Sequence, residues 1–299
     1  MKTFFKWVGI IVAVLLVVAI IAVGVLYAVG RGKLNKHFDV QVEMVPIPDD
    51  AASMARGEHL AKAVAPCIGC HGPDLGGQEL INDPTIGLIY SVNLTRGNGG
   101  VGASFTDEDW VRAIAYGVDP QGIGLMVMPS QNFHQMSDTD LGAVIAYVKS
   151  VPPVDRESPE NQFTFMATLL NALGAFGELP ADQIDQGAPR PAAPTPGVSV
   201  EYGDYLVTMG DCRGCHGINL AGAQIVPSDP WAPNLTPAGD LGSWSESDFI
   251  NLIRTGTKPS GAEISKKMPY ELYQGQTDDE LQAIWLYLSS LEPLPENPR

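Results

Sequence analysis

Basic residues, cysteine and histidine are all scarce in this chain. Lys and Arg number 18 against 34 Asp and Glu, and only 4 Cys and 5 His occur among 299 residues. The net charge of −16 argues against a nucleic-acid-binding protein, because an acidic field repels phosphate groups. With 45% hydrophobic residues the chain is too apolar for wholesale disorder, and its length allows about two domains.

All four cysteines belong to two copies of one motif, Cys67-Ile-Gly-Cys70-His71 and Cys212-Arg-Gly-Cys215-His216. C-x-x-C-H is the pattern of covalent c-type haem attachment. Each thiol forms a thioether with one vinyl group, and the adjacent histidine takes the proximal position on the iron. A redox-active cysteine pair and half of a zinc site are the alternatives. Two copies that leave no thiol over favour two covalently bound haems.

The N-terminus contains an apolar run without a charged residue, from position 7 to position 30. A helix over this run would be about 36 Å long, enough for a bilayer core of about 30 Å. A signal peptide ending near 28–30 is the alternative, but its apolar region is usually only about 7–15 residues. We therefore expect an uncleaved single-pass anchor within residues 1–36. Its flanks are basic on both sides and give no orientation.

The haem motifs supply the orientation that the charges do not. Covalent haem attachment takes place outside the cytoplasm, so the bulk of the chain is expected on the periplasmic side of a bacterial cytoplasmic membrane. Residues 1–36 carry five basic residues and no acid, which leaves 18 − 5 = 13 Lys and Arg against 34 acids, or −21, for the remainder. This acidic remainder is expected to approach partner proteins through their basic faces, unless the acidity serves only solubility.

When the two haem motifs are aligned, several other sequence features recur around them in the same order. This internal duplication predicts two similar domains. With the other segments, it gives an anchor at 1–36, a spacer at 37–49, a first domain at 50–155, an intervening segment at 156–198 and a second domain at 199–299. The matched features are Gly57-Glu-His-Leu60 with Gly203-Asp-Tyr-Leu206, Asn93-Leu-Thr95 with Asn234-Leu-Thr236, Met128-Pro129 with Met268-Pro269, and helix starts at Ser137 and Thr277.

The intervening segment has two parts. Residues 163–176 are apolar and uncharged but too short to span a membrane. They are expected either to form a helix packed against one or both haem domains, or to contact a membrane partner or the bilayer surface. Residues 187–197 contain four prolines and predict an extended, semi-rigid linker.

Met128 and Met268 are the candidates for the sixth iron ligand of each haem. Each lies well downstream of its motif and is followed by proline, which suits a rigid loop over the haem. A methionine there raises the reduction potential. Met126, Met136 and His134 are alternatives in the first domain. The remaining His37 and His59 have no histidine at the matched positions and are expected to be structural or exposed.

This arrangement resembles two class I cytochrome c domains in tandem, over about residues 50–155 and 199–299. The resemblance implies an all-α fold with one c-type haem per domain. The whole chain resembles membrane-anchored dihaem cytochromes c of bacteria, including those that accompany membrane dehydrogenases; there is no third CxxCH, unlike the trihaem subunits of some alcohol dehydrogenases. The resemblance also suggests Pro233 as a support for His216, whereas Val92 occupies that place in the first repeat.

The expected function is electron transfer and not catalysis of a substrate reaction. With a histidine and a methionine on each iron, both irons are expected to be coordinatively saturated, and Ser, His and acidic residues form no other repeated arrangement. The expected partners are membrane redox proteins of the respiratory chain: a quinol-oxidising complex, a dehydrogenase or a terminal oxidase. Two alternatives remain: a dihaem enzyme of peroxidase-like or thiosulfate-oxidising type, which keeps one iron open, and a cytochrome subunit fixed in a larger respiratory complex.

Overall fold

The computed structural model describes residues 1–192, 194–225 and 229–298. The fold is mostly helical, with one long apolar N-terminal helix, as predicted. Residue 193 of the predicted linker and residues 226–228 and 299 of the predicted second domain lie outside the described residues. The helices are α1 Lys2–Leu34, α2 Ala51–His59, α3 Cys67–His71, α4 Asp107–Tyr116, α5 Ser130–Phe133, α6 Asp138–Ser150, α7 Phe165–Ala172, α8 Val200–Met209, α9 Cys212–His216, α10 Glu246–Thr255 and α11 Asp278–Ser290. One π-helical turn, Leu60–Val64, extends α2.

The repeat seen in the sequence is a repeat of helices. In the first domain α2, α3, α4 and α6 follow one another in the order in which α8, α9, α10 and α11 follow in the second. The two middle helices begin with capping boxes, at Thr106 and at Ser245, and both end at a glycine in the left-handed conformation, Gly117 and Gly256. These local signals satisfy the free backbone groups at helix ends.

The recurrent glycine before each haem motif allows two helices to cross closely. α2 packs on α6 and α8 packs on α11. A Cβ placed on Gly57 would lie 1.9 Å from the carbonyl oxygen of Ala143, and one on Gly203 would lie 2.0 Å from that of Ala283. The first and last helices of each domain therefore touch backbone to backbone.

Gly203→Val is expected to destabilise the second domain. Its side chain would force α8 away from α11, and overpacking of this kind costs about 1–3 kcal/mol. Gly187→Val is the matched control, because a Cβ there would meet no atom closer than 3.7 Å. Denaturant unfolding of the two holoprotein variants measures the difference; equal stability would show that the two helices separate without cost.

A small antiparallel sheet was not predicted from the sequence. Its strands are β1 Glu79–Asp83, β2 Gly87–Tyr90 and β3 Gln162–Phe163, in the order β1-β2-β3. The β1–β2 hairpin follows the first haem motif, and β3 comes from the intervening segment. Such short strands carry little alternation for a sequence pattern to reveal.

The predicted spacer lies against the first domain. The Phe38 N–H donates to the Gly122 carbonyl at 2.8 Å, and the Gly124 N–H donates to the Lys36 carbonyl at 3.0 Å. Val45 further along is buried. The chain is thus attached to the domain within a few residues of the end of α1.

The proline-rich linker also lies on the first domain. Among its described residues there is no helix or strand. The Arg190 side chain is only 1% exposed, pairs with Asp138 at 2.8 Å and donates to the Glu43 carbonyl at 3.0 Å. This contact fixes the linker to both the spacer and the start of α6.

The apolar 163–176 segment contains α7, whose main helical partner is the end of α1. The helix lies beside the C-terminal turns of the long N-terminal helix, and the N–H of its N-cap residue Thr164 donates to the Ile86 carbonyl of the first domain at 3.1 Å.

Candidate haem sites

Each haem motif forms a helix of five residues, α3 or α9, so its two cysteines lie one turn apart. All four thiols are free in the structure. Burial raises the pKa of Cys67 and of Cys212 to about 12. Within the described ranges no three His, Cys, Asp or Glu side chains are grouped as a metal site.

The two motif histidines are oriented in the same way. His71 Nδ1 lies 2.9 Å from the Val92 carbonyl oxygen, and His216 Nδ1 lies 2.7 Å from that of Pro233. Burial lowers the pKa of both imidazoles, so each is neutral. Nδ1–H then donates to the carbonyl and Nε2 keeps its lone pair, the arrangement required of an axial ligand. The support expected only from Pro233 is therefore present in both domains, since a backbone carbonyl provides it.

The recurrent Asn-Leu-Thr triplet holds these carbonyls in place. Asn93 Oδ1 accepts the backbone N–H two residues on, at 2.9 Å, and its Nδ2 donates to the Val154 carbonyl at 2.7 Å. Asn234 makes the same bonds, at 2.8 Å, with Leu294 as the acceptor. Each asparagine thus joins the loop beside the proximal histidine to the chain that follows the last helix of its domain.

Met128 and Met268 have the same backbone geometry. Their carbonyl oxygens accept the N–H two residues on, at 2.8 and 2.9 Å. The intervening Pro129 has φ −77° and ψ 56°, and Pro269 has φ −82° and ψ 58°. These values define an inverse γ-turn. Both methionines are half-buried against the core.

The three alternatives in the first domain lie in different surroundings. Met136 is 1% exposed and belongs to the core. His134 is 4% exposed, holds the Ala115 carbonyl through Nδ1 at 3.1 Å, and packs edge-on against Tyr116. Met126 is half-buried on the same loop as Met128 but outside the γ-turn. The recurrence of the γ-turn favours Met128.

The donor set fits a c-type haem in each domain. Two thiols one helical turn apart, a neutral imidazole with free Nε2 and a thioether on a proline-fixed loop are the groups that such a haem requires. The assignment of Cys67, Cys70, Cys212 and Cys215 to haem attachment, and of His71, Met128, His216 and Met268 to the iron, remains a prediction.

The two motifs meet at the contact between the domains. Asn132, four residues after Met128, donates through Nδ2 to Asp211 Oδ1 at 2.7 Å, immediately before the second motif. Leu272, four residues after Met268, lies 2.6 Å from the position of a Cβ on Gly69, inside the first motif. Each methionine loop therefore reaches the motif of the other domain.

Side-chain hydrogen bonds also join the helices of one domain to those of the other, again in matched pairs. The Tyr205 hydroxyl of α8 donates to Asp140 on α6 at 2.8 Å. His59 Nε2 of α2 lies 2.8 and 2.9 Å from the carboxylate oxygens of Glu280 on α11. Tyr205 occupies the repeat position of His59, and Glu280 that of Asp140. The two domains therefore contact each other through matched positions of their first and last helices.

Arg56 lies at the centre of this contact. Its Nε and Nη2 each donate to Asp140 at 3.0 Å, Nη2 reaches the Tyr202 hydroxyl at 3.3 Å, and Nη1 lies 3.5 Å from Glu280. Burial alone would lower the pKa of Arg56, but the hydrogen bond and charge of Asp140 outweigh it and raise that pKa. Burial would raise the pKa of Glu280, but the hydrogen bond from His59 leads the effects that lower it. The guanidinium is therefore shared between carboxylates of both domains.

Sequence reasoning missed this network and left His59 as structural or exposed. One signal was available: Asp140 and Glu280 occupy the same capping position of the last helix, three residues after Ser137 and Thr277. Both acids are buried, at 7% and 4% exposure, which a capping role alone does not require.

Comparison with known proteins gives one family. The family model described as Cytochrome c matches residues 54–152 and 200–292. The cytochrome c subunit of alcohol dehydrogenase (quinone) from Gluconobacter oxydans is 30% identical over 276 residues, which is 83% of this chain and 56% of the relative. The fructose dehydrogenase cytochrome subunit of Gluconobacter japonicus is 31% identical over 281 residues, 85% of this chain and 56% of the relative. A nicotinate dehydrogenase subunit of Pseudomonas putida is 30% identical over 295 residues, 90% of this chain and 24% of the relative.

This chain spans little more than half the length of the first two relatives. Those two are named as cytochrome subunits of dehydrogenases, which confirms the prediction of an electron-transfer protein. The predicted resemblance to cytochrome c domains in both halves is confirmed by the two matched ranges.

Proposed function

Because this chain belongs to the cytochrome c family, we propose that it is a membrane-anchored dihaem cytochrome c that takes electrons from a dehydrogenase and passes them to a membrane acceptor. In this proposal α1 crosses the cytoplasmic membrane once and both haem domains lie on its periplasmic side. α1 is a candidate span of 33 residues; its most apolar 18-residue window has a mean hydropathy of 3.3 and is not buried in the protein.

A haem bound at each site would supply reversible one-electron chemistry at an iron held by imidazole and thioether. The chain's own residues would hold and tune that iron. Cys67 and Cys70 would attach the first haem, and the Val92 carbonyl makes His71 a stronger donor. The second site repeats this chemistry with Cys212, Cys215 and His216.

The observation that carries the proposal is that two equivalent sites meet at one contact. Both have the same histidine and methionine geometry, and Asn132 and Leu272 bring each methionine loop to the opposite motif. This arrangement suits electron exchange between the two haems within one chain. A dihaem enzyme of the alternative type would instead be expected to have two unlike sites, because it keeps one iron open.

A dehydrogenase is proposed as the partner because the relatives are named as cytochrome subunits of dehydrogenases. Alcohol dehydrogenase (quinone) and fructose dehydrogenase both have cytochrome subunits similar to this chain. A quinone is the acceptor class named for the first of them. The net charge of −21 beyond residue 36 would favour a donor surface with basic residues.

The proposal is tested on the full-length holoprotein extracted from membranes with mild detergent. We expect a dehydrogenase subunit to copurify, its substrate to reduce both haems, and an added quinone analogue to reoxidise them. A lone monomer whose reduced haems exchange no electrons with any membrane redox partner would contradict the proposal. Carbon monoxide binding to one reduced haem without denaturant would favour the dihaem enzyme instead.

A further inference from the structure

Helix α7 packs against the end of the N-terminal helix at close range. The rings of Tyr27 and Phe165 stack with centroids 5.3 Å apart and an interplanar angle of 22°. One turn further along each helix, a Cβ placed on Gly30 would lie 1.9 Å from the carbonyl oxygen of Thr168. Glycine at position 30 therefore allows the backbones to touch.

Polar groups complete this contact. Asn171 Nδ2 donates to the Gly30 carbonyl at 3.2 Å. Lys33 Nζ donates to the carbonyls of Asn171 and Ala172 at 3.3 and 3.2 Å, at the C-terminus of α7, where a cation is favourable. The contact thus extends from Tyr27 to Lys33 on α1.

This stretch of α1 lies where the apolar run ends. The first charges after it are Arg31 and Lys33. If α1 spans a bilayer, residues of this kind lie at the boundary between acyl chains and headgroups, where aromatic and basic side chains are enriched. The contacts with Tyr27, Gly30 and Lys33 place α7 at the same depth.

The polarity of α7 is the reverse of that expected for a helix in water. Its polar Thr168 and Asn171 are 1% and 5% exposed and face α1, whereas Phe165, Met166 and Leu173 are 55%, 50% and 70% exposed. No charged residue occurs from position 161 to 177. Water would penalise this exposed apolar face, and the acyl boundary of a bilayer would not.

We propose that α7 lies in the outer-leaflet interface of the bilayer, with Phe165, Met166 and Leu173 among the lipid chains. The proposal rests on the membrane anchor of the proposed function and adds a second membrane contact to it. The N-cap residue of α7, Thr164, is joined to the first domain, because its N–H donates to the Ile86 carbonyl at 3.1 Å and its hydroxyl donates to that of Thr85. The first haem domain is thereby held against the membrane at two points, the end of α1 and α7.

The test uses full-length holoprotein in phosphatidylcholine vesicles that contain a lipid with a photoactivatable group on its acyl chain. Mass spectrometry then locates the adducts. We expect adducts on α1 and on the α7 face, and none above background on Ile218 and Ile225, which are 86% and 58% exposed on the second domain and serve as controls. The double substitution Met166→Glu and Leu173→Glu should abolish labelling of α7, while labelling of α1 and the haem spectrum stay unchanged.

The outcomes separate this inference from the proposed function. Labelling of α1 with α7 no more labelled than Ile218 would overturn the lipid contact and leave the anchor intact. Labelling of neither helix would overturn the anchor and the lipid contact together. Cross-linking of α7 to a second protein in native membranes, in place of lipid, would show that a protein covers this face and would also overturn the inference.

Discussion

Replacing Met268 by His is expected to lower the reduction potential of the second haem by on the order of 0.1–0.3 V, within the span of about 0.8 V that axial ligands cover. A thioether stabilises the reduced iron, whereas a second imidazole stabilises the oxidised iron. The inverse γ-turn at Pro269 holds the loop by a backbone hydrogen bond that the substitution leaves in place. The change therefore acts on the ligand with little effect on the fold.

A potentiometric titration with optical spectra measures this effect. The weak thioether-to-iron band at the red edge of the oxidised spectrum should lose about half its intensity, since one of two sites changes. Met128→His should shift the first haem in the same direction, and Met126→His, on the same loop, is the matched control that should shift neither. If Met268→His leaves both reduction potentials unchanged, Met268 is not a ligand. A shift of the first haem's potential by Met126→His would show that Met126, and not Met128, is the ligand in the first domain.

Arg56→Met is expected to loosen the contact between the two haem domains. Removing one member of a buried ion pair costs about 3–5 kcal/mol of stability. We expect a loss of about 2–3 kcal/mol here, because the Arg56 side chain is 26% exposed and solvent screens part of the interaction. The loss leaves Asp140 and Glu280, 10% and 5% exposed at the side chain, without the guanidinium that they share. Because the methionine loops reach across this contact, electron exchange between the haems should also slow.

Two measurements follow the Arg56 variant: thermal unfolding of the holoprotein and proteolysis of the linker at 187–197. Cleavage should become faster if the domains part. Arg254→Met is the matched control, since Arg254 pairs with Asp278, which is 76% exposed, and such pairs contribute about 1 kcal/mol or less. A holoprotein variant as stable as the Arg254 control would show that the domains are held by their apolar contacts alone.

The helices and their ends could be predicted because their signals are local. Thr106 with Asp109, and Thr277 with Glu280, form the capping boxes that the spacing of the side chains indicates. The haem motifs and the Met-Pro loops were found for the same reason: each is a short pattern that occurs twice. Duplication doubled the evidence for every feature that both domains retain.

The contact between the domains could not be found in this way. Its members come from helices distant in the sequence, and the repeat positions of Arg56 and His59 hold Tyr202 and Tyr205, so no repetition of residue type marks them. The Val92 carbonyl was missed for a different reason. A backbone acceptor has no residue signature, and the absence of proline at that position suggested a loss of support that did not occur.

The contact between the first domain and the residues just after α1 limits how this protein can approach a partner. A flexible linker over positions 37–49 would have an end-to-end distance of roughly 20 Å. It would let the two domains move through a hemispherical volume around the end of α1. The backbone hydrogen bonds between Phe38 and Gly122 and between Lys36 and Gly124 hold this segment on the domain and remove most of that freedom. If α1 crosses the membrane as proposed, the first domain stays at a fixed height above the bilayer, and an acceptor in the bilayer must reach it by lateral diffusion.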